Sequence, residues 1–371
     1  MLTYKFRIYP TKEQQDILWE HSKLCNQLYN TFLDYKIENY TINKKNISKY
    51  DTLNLLPELK NNVPLLKTIH SQVLQQVLIR LDNSYKNFFN RVKKGEVPGF
   101  PKFRSSKYFF TLTYPQSGYK FSNNYFITKS YGKIKINLHR KINGDPKDIT
   151  NVSITRDIGN KWYLCIGTDN NIVNNNIKED IVGLDVGIKN IAALSTGKII
   201  ENKDYMKYYN KIIDSTKSYR DKRCKKGSRK YKSLSSKIRR LYGVRDRKVN
   251  DFLHKVSKEL SSRFDTIVVE DLPLKKMSEG KITSLNKNLR EASIGKFISF
   301  LEYKTNNLIK VNPYNTSKTC SNCGKIHNID LSVRTLNCDC GLILDRDVNA
   351  AVNILGKELA SWNINKTVML F

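Results

Sequence analysis

Hydrophobic and polar positions alternate over residues 3–9, with Tyr4, Phe6 and Ile8 on one face and Lys5 and Arg7 on the other. That period predicts a half-buried strand with a basic outer face. Pro10-Thr11 ends it, and Thr11-Lys-Glu-Gln14 has the form of a helix capping box. From there to about residue 93 apolar positions recur at three- and four-residue steps, as in His70, Val73, Leu74, Val77, Leu81, Tyr85 and Phe88. The Asn-rich stretch 43–63, with Pro57 inside it and Pro64 just after, is expected to break the helices. Val97-Pro-Gly-Phe-Pro-Lys-Phe-Arg104 reads as a rigid turn segment. Over 107–176 the period changes to two: Tyr108 to Tyr114, Ile134 to Leu138, Ile149 to Ile154 and Trp162 to Ile166 look like strands between Gly, Asn and Pro turns. They predict an antiparallel sheet or barrel. The strand at 3–9 can join it, with the helical segment 11–95 inserted.

A polar stretch, Asn170 to Asp180, separates this half from the next. Ile181–Val186, Ile191–Ser195 and Lys198–Asn202 then read as a three-stranded meander. Residues 205–262 read as basic helices, Thr266–Val269 as a buried strand, Glu291–Asn306 as an amphipathic helix and Leu308–Val311 as another strand. A last helix opens at Asp347, and the tail from Lys357 to Phe371 reads only as a further helix or strand. Three strands, helix, strand, helix, strand, helix is the order of an RNase H-like α/β sheet, with a cysteine-rich insert before the last helix.

Charge narrows the partner. Lys plus Arg is 65 against 34 Asp plus Glu, a net charge of +31. A lysine-rich genome explains part of this, but an excess of that size calls for a polyanion, because cations on a phosphate backbone release condensed counterions. The basic side chains concentrate over 217–255, including Arg220, Arg223, Arg229, Lys230, Arg239, Arg240, Arg245 and Arg247, with only Asp221, Asp246 and Asp251 opposing them. Tyr219, Tyr231 and Tyr242 interleave. Such a run reads as a phosphate-tracking helix pair, with Lys5 and Arg7 as further contacts. No apolar run approaches the roughly 18 residues of a membrane span. The first residues lack the apolar core of a signal peptide, so an interior, cytoplasmic location is expected.

Three carboxylates lie at the ends of these elements. Asp185 sits in Val182-Gly-Leu-Asp-Val-Gly187, Glu270 ends Thr266-Ile-Val-Val-Glu270, and Asp347 opens the last helix. Each alone says little. Asp185 reads equally as a turn residue, Glu270 has Asp271 beside it, and Asp347 reads equally as an N-cap with Asp345 as competitor. Together they suit two Mg²⁺ ions, whose oxygen ligands and spacing suit phosphodiester hydrolysis. Seven cysteines are present, four of them as Cys320-x-x-Cys323, fourteen residues, then Cys338-x-Cys340. Two close pairs suit a structural tetrahedral zinc rather than a disulfide framework. Gly324 and Gly341 are expected to form turns that bring backbone amides to the sulfurs. The tight second spacer leaves His327 as an alternative ligand. No P-loop and no serine, cysteine or histidine nucleophile arrangement is present.

Val182-Gly-Leu-Asp-Val-Gly-Ile-Lys-Asn190, Asn250-Asp-Phe-Leu-His-Lys-Val-Ser257, Val268-Val-Glu-Asp-Leu272, Tyr314-Asn-Thr-Ser-Lys-Thr-Cys-Ser-Asn-Cys-Gly324 and Asp345-Arg-Asp-Val-Asn-Ala-Ala351 resemble the TnpB (OrfB) proteins of insertion sequences. Tyr4-Lys-Phe-Arg-Ile-Tyr-Pro10 and Gly99-Phe-Pro-Lys-Phe103 are similar to that family too, so the resemblance covers nearly the whole chain. It implies a wedge-type β-barrel (1–10 and 105–176) and a helical recognition domain (11–104). It also implies a RuvC-like, RNase H-like nuclease domain (177–371) with basic helices at 205–262 and a zinc ribbon at 316–343. The implied activity is Mg²⁺-dependent, RNA-guided cleavage of double-stranded DNA, with a guide RNA from the element's end and with Asp185, Glu270 and Asp347 as the metal-binding carboxylates. The one-residue spacer between Cys338 and Cys340 departs from the family pattern. A nuclease-inactive guided repressor and an accessory DNA-binding factor in transposition are the competing readings. The sequence leaves oligomeric state open.

Overall fold

The computed structural model describes residues 2–106, 109–142, 146–169, 179–273, 288, 291–328, 330 and 333–368. The chain divides into two compact units, Met1–Asn171 and Ile172–Phe371. Tyr108 and most of the polar stretch 170–180 lie outside the described residues.

In the first unit, β1 (Leu2–Tyr9) runs between β7 (Trp162–Thr168) and β5 (Gly132–Asn137), antiparallel to both. The rest of the sheet is β2 (Thr111–Tyr114), β3 (Lys120–Ser122), β4 (Tyr125–Thr128) and β6 (Ile149–Arg156), in the order β2-β6-β7-β1-β5-β4-β3. Every pairing is antiparallel. The ladder is open, with β2 and β3 as its edges among the described residues, so the expected barrel is a half barrel. The hairpin β3–β4 was not anticipated: three residues of β3 are all exposed, and its turn rests on Asn123 at φ 48°.

The inserted helices are α1 (Lys12–Asn43), α2 (Lys49–Asn54), α3 (Leu56–Asn62), a 3₁₀ turn (Pro64–Thr68) and α4 (Ser71–Lys93). Thr11 and Gln14 form the reciprocal capping box. The Asn-rich stretch holds two short helices rather than a plain break. Ser48 caps one reciprocally with Asp51, and Pro57 opens the other, where its missing N–H costs nothing. Leu18, Cys25, Leu28, Tyr29, Phe32 and Leu33 of α1 share one continuous core with Val73, Val77 and Leu81 of α4 and with Phe6, Ile8, Ile154 and Leu164 of the sheet. The turn segment before β2 is stapled to α1, since Asn26 and Asn30 donate to the Arg104 carbonyl at 2.8 and 2.9 Å.

The second unit is built on a five-stranded sheet, β10-β9-β8-β11-β12. Its strands are β8 (Glu179–Asp185), β9 (Asn190–Leu194), β10 (Ile199–Glu201), β11 (Phe264–Glu270) and β12 (Asn307–Val311). The meander β8–β9–β10 is antiparallel, whereas β8, β11 and β12 are mutually parallel neighbours. A basic hairpin, α5 (Tyr205–Arg223) and α6 (Arg229–Arg263), connects β10 to β11. The helix α7 (Ile294–Glu302) is shorter than the expected 291–306. Ser293 at φ 59° precedes it, and the N–H groups of Lys304 and Thr305 turn back onto the Leu301 carbonyl to end it. A two-stranded ribbon, β13 (Thr335–Asn337) with β14 (Ile343–Asp345), leads into α8 (Arg346–Val368). Val182, Leu184, Ile267, Val269, Phe297 and Leu301 centre the core.

Candidate active site and metal centre

Parallel pairing puts two carboxylates side by side. The register matches Leu184 of β8 to Val269 of β11. One step further, Asp185 and Glu270 end their strands at the same edge of the sheet, where α/β sheets place their ligands. Glu270 is only 9% exposed, whereas Asp271 is exposed and its N–H continues the ladder onto Val311. Strand alternation thus turns Glu270 inward and Asp271 out.

The start of α8 brings two more carboxylates, Asp345 and Asp347, and their hydrogen bonds show which of them caps the helix. Asp345 Oδ1 accepts the N–H groups of Asp347 at 2.8 Å and Val348 at 3.2 Å, so Asp345 is the N-cap. The Asp347 side chain is left for other partners. It accepts from Asn190 Nδ2 at 3.0 Å and faces Arg334 at 3.8 Å and Arg346 at 3.9 Å. Helix α8 comes this close to β8 because residue 183 is a glycine. A Cβ there would lie 2.1 Å from the Ala351 carbonyl oxygen and 2.9 Å from the Leu355 nitrogen.

At Asp185, burial and like charge outweigh the nearby cation. Burial, then the negative fields of Glu270 and Asp347, push the Asp185 carboxyl up to about 7, against the pull of Arg346 and the Val186 N–H. Burial raises Glu270 as well, opposed by a short hydrogen bond from the Thr316 hydroxyl and by Lys357. Carboxylate oxygens are the hard donors a divalent cation takes, and burial with mutual repulsion disfavours their charge until one binds. Among the described residues the four cysteines are the set whose ligand atoms all lie within 4.8 Å of one another.

The cysteines form a compact cage. Cys320 and Cys340 sulfurs are 3.7 Å apart, and those of Cys323 and Cys338 are 3.5 Å apart. A tetrahedron with Zn–S bonds of about 2.3 Å has edges of about 3.8 Å, so the set fits zinc despite the short spacer. Gly324 and Gly341 hold φ of 75° and 88°, and their N–H groups close turns onto the Cys320 and Cys338 carbonyls rather than onto sulfur. The amides that reach sulfur come from Cys340 and Leu342. The Asn322 side chain and the Leu342 amide pull the Cys340 thiol down to about 6, toward the thiolate a metal needs. His327 Nε2 lies 3.2 Å from the Cys338 sulfur, beside the cage rather than in place of a cysteine.

The basic residues sort into two groups. Arg220 pairs with Asp221 at 2.8 Å and covers the Tyr231 ring; Arg245 pairs with Asp246 at 2.8 Å, donates to Asn210 and covers Tyr242. Lys230 donates to the Tyr219 hydroxyl at 2.9 Å. These hold the α5–α6 hairpin together. Arg223, Arg229, Arg239 and Arg240 are exposed, and Arg247 is half-buried. In the first unit, Lys5 lies over Tyr163 at 4.2 Å, and Arg7 lies between Tyr9 and Tyr163 while donating to the Trp162 carbonyl. They form a basic, aromatic strip on the outer face of the sheet.

Sequence reasoning missed Asn190, Thr316 and Arg334. The first two stand inside motifs quoted above, so their chemistry was visible but their targets were not. Arg334 sits between cysteine pairs in a segment with no periodic signal.

Family models described as "Probable transposase", "Cas12f1-like, TNB domain" and "Helix-turn-helix domain" match residues 165–280, 295–354 and 1–45. The last of these stretches folds as β1 and one continuous helix of 32 residues. A Streptomyces pristinaespiralis protein named "Putative RNA-guided DNA endonuclease" is 30% identical over 370 residues, covering 96% of this chain and 89% of the relative. InsQ of Escherichia coli K12, with the same description, is 28% identical, covering 95% and 91%. A solved structure titled as a Cas12f1-sgRNA-target DNA complex superposes with a TM-score of 0.58 at 18% identity, over 93% of this chain and 83% of that one. No helix among the described residues is long and apolar enough to cross a membrane. With motifs, zinc-type cage and near full-length similarity in agreement, the chain belongs to the TnpB (OrfB) family.

Proposed function

We propose that this chain is an RNA-guided DNA endonuclease whose second unit is an RNase H-like, RuvC-type nuclease cutting by two-metal hydrolysis. The observation that carries the reading is the Asp185 carboxyl, raised to about 7 between two other acidic groups at the carboxyl edge of a parallel pair of strands. Such a group is destabilised until a cation joins it. Asp185, Glu270 and Asp347 would hold two Mg²⁺ ions. When bound, the ions supply Lewis acidity and a nucleophilic water at neutral pH. The chain's own part is positional. Asn190 fixes the Asp347 carboxylate, and the Thr316 hydroxyl fixes Glu270. Arg334, half-exposed beside Asp347, offers its guanidinium to a phosphate entering the site. In-line attack of water on phosphorus would form the new P–O bond as the bond to the 3′ oxygen breaks, and with a proton passing from the water to that oxygen the products would be a 3′-hydroxyl and a 5′-phosphate.

Zinc in the cysteine cage has a structural role in this reading. The guide RNA and the target duplex are the polyanions that the charge of +31 anticipates. Exposed Arg223, Arg229, Arg239 and Arg240 would track backbone phosphates, and Lys5 and Arg7 would contact nucleic acid from the first unit. The setting is a reducing cell interior. The names and titles of the similar proteins support guide RNA and DNA as partners.

The test is co-expression with the flanking element DNA, purification, and incubation with plasmids carrying a guide-matched target beside a randomised flank, in Mg²⁺. Guide-dependent linearisation that vanishes in Asp185→Ala is expected. Bound RNA and target binding without cutting in the wild type would favour a guided repressor. Absence of co-purifying RNA would favour an accessory DNA-binding factor.

A further inference from the structure

One face of α8 spends its polar side chains on a single segment of backbone. Asn349 is fully buried; its Oδ1 accepts the Ser321 N–H at 2.9 Å and its Nδ2 donates to the Thr319 carbonyl at 2.8 Å. One turn on, Asn353 Nδ2 donates to the carbonyls of Thr316 at 2.8 Å and Thr319 at 2.6 Å. One turn further, Lys357 Nζ donates to those of Asn312 at 2.8 Å and Tyr314 at 2.6 Å. The spacing of four residues aligns all three on one face. The clamped segment joins two sites. It leaves β12 at Val311, the register partner of Glu270, and it ends at Cys320, the first ligand of the cysteine cage. Midway, the buried Thr316 hydroxyl donates to Glu270 Oε1.

We infer that Thr316 is a positioning residue for Glu270, and that the Asn349–Asn353–Lys357 clamp couples metal occupancy at the cysteine cage to metal affinity at the carboxylates. Cys320 and the clamped Thr319 carbonyl are adjacent in the chain, so ordering the knuckle orders the segment that carries Thr316. Coupling of this kind is reciprocal: occupancy of either site strengthens the other by the same factor. Buried partners of metal ligands typically contribute about 10–100-fold to affinity when removed one at a time. The inference rests on the reading of Asp185, Glu270 and Asp347 as a divalent-metal site.

The experiment uses the full-length, zinc-loaded protein, with Mn²⁺ as probe followed by electron paramagnetic resonance, and zinc retention measured against a fixed concentration of chelator. An Asp185→Asn, Asp347→Asn double variant sets the background. Wild type is expected to bind Mn²⁺ above background, and saturating Mn²⁺ to increase its zinc retention. Thr316→Val is expected to keep zinc in the absence of Mn²⁺, lose about tenfold in Mn²⁺ affinity and lose the Mn²⁺ effect on zinc. Thr316→Ser should restore both. Asn353→Ala, which leaves every metal ligand and Thr316 in place, should uncouple the sites in the same way, and it serves if Thr316→Val does not fold. Mn²⁺ affinity and zinc protection unchanged in Thr316→Val and Asn353→Ala would overturn the inference while leaving the metal-site reading intact. A wild type that binds no Mn²⁺ above background would overturn both.

Discussion

The carboxylate of Asp345 accepts the backbone N–H of Asp347 at 2.8 Å, so the cap of α8 and the residue proposed here as a metal ligand are separate residues two positions apart. Asp345→Ala removes a cap and is expected to lower stability by about 1 kcal/mol, with cleavage reduced a few-fold at most. Asp347→Asn should do the opposite, abolishing cleavage while keeping or raising the melting temperature. Thermal unfolding and plasmid cleavage on the same preparations check the pair. Lost cleavage at unchanged stability in Asp345→Ala would reverse the assignment.

The local pattern could not make that distinction, because an Asp at either position satisfies the same helix-start pattern; only the resemblance to the TnpB family pointed to Asp347. What the sequence did carry were features confined to short stretches. The apolar runs of β8 and β11, the Thr11–Gln14 capping box and each of the cysteine pairs span only a few residues. The hairpin β3–β4 was illegible because its first strand is three exposed residues with no burial pattern. Contacts such as Asn190 with Asp347, 157 positions apart, carry no local signal at all. The polar face Asn349–Asn353–Lys357 reads as solvated until its backbone partners are known.

The Asp185 carboxyl makes the metal-free protein sensitive to pH. Its pKa rises from the ordinary 3.8 to about 7 on folding, so the folded state holds this proton more tightly than the unfolded chain. The associated stability is fully present below about pH 4, is lost as pH rises through about 7, and is absent above. A rise of that size corresponds to roughly 4 kcal/mol at most, and partial solvent screening brings the expected effect nearer to about 2 kcal/mol. In chelator, wild type should therefore lose more stability than Asp185→Asn between about pH 5 and pH 8. Mg²⁺ should restore it at pH 8 and have little effect at pH 5. Parallel melting profiles for the two proteins would contradict a carboxyl that titrates near neutrality.

Gly183 is the contact that lets α8 reach the sheet. A methyl there meets the backbone of Ala351 and Leu355, which cannot swing aside as a side chain would. Gly183→Ala is expected to cost about 2–3 kcal/mol and to displace Asp347, so cleavage should fall further than the folded fraction does. Gly356→Ala on the same helix meets nothing within 4 Å and should be neutral or stabilising by up to about 1 kcal/mol. Equal behaviour of the two variants would mean that the close approach does not set the site.

The division of the basic hairpin gives the nucleic-acid reading a quantitative test. Arg223, Arg229 and Arg239 are exposed, whereas Arg220 and Arg245 are held by Asp221, Asp246 and the tyrosine rings. A cation that neutralises a phosphate contributes about 0.9 to the slope of log affinity against log salt on duplex DNA, and about 0.7 on a single strand. The triple substitution of Arg223, Arg229 and Arg239 to Ala should therefore flatten that slope by about 2–3 and weaken binding of any target sequence to a similar degree. Arg220→Ala removes an ion pair and a ring contact instead. It should lower hairpin stability by about 1 kcal/mol or less and leave the slope nearly unchanged, because a pair whose acidic partner faces solvent contributes little and its cation was never free to meet a phosphate. Binding curves across a salt series on the guide-loaded complex separate the two. A slope that responds to Arg220→Ala and not to the triple substitution would place the nucleic acid on the other side of the hairpin.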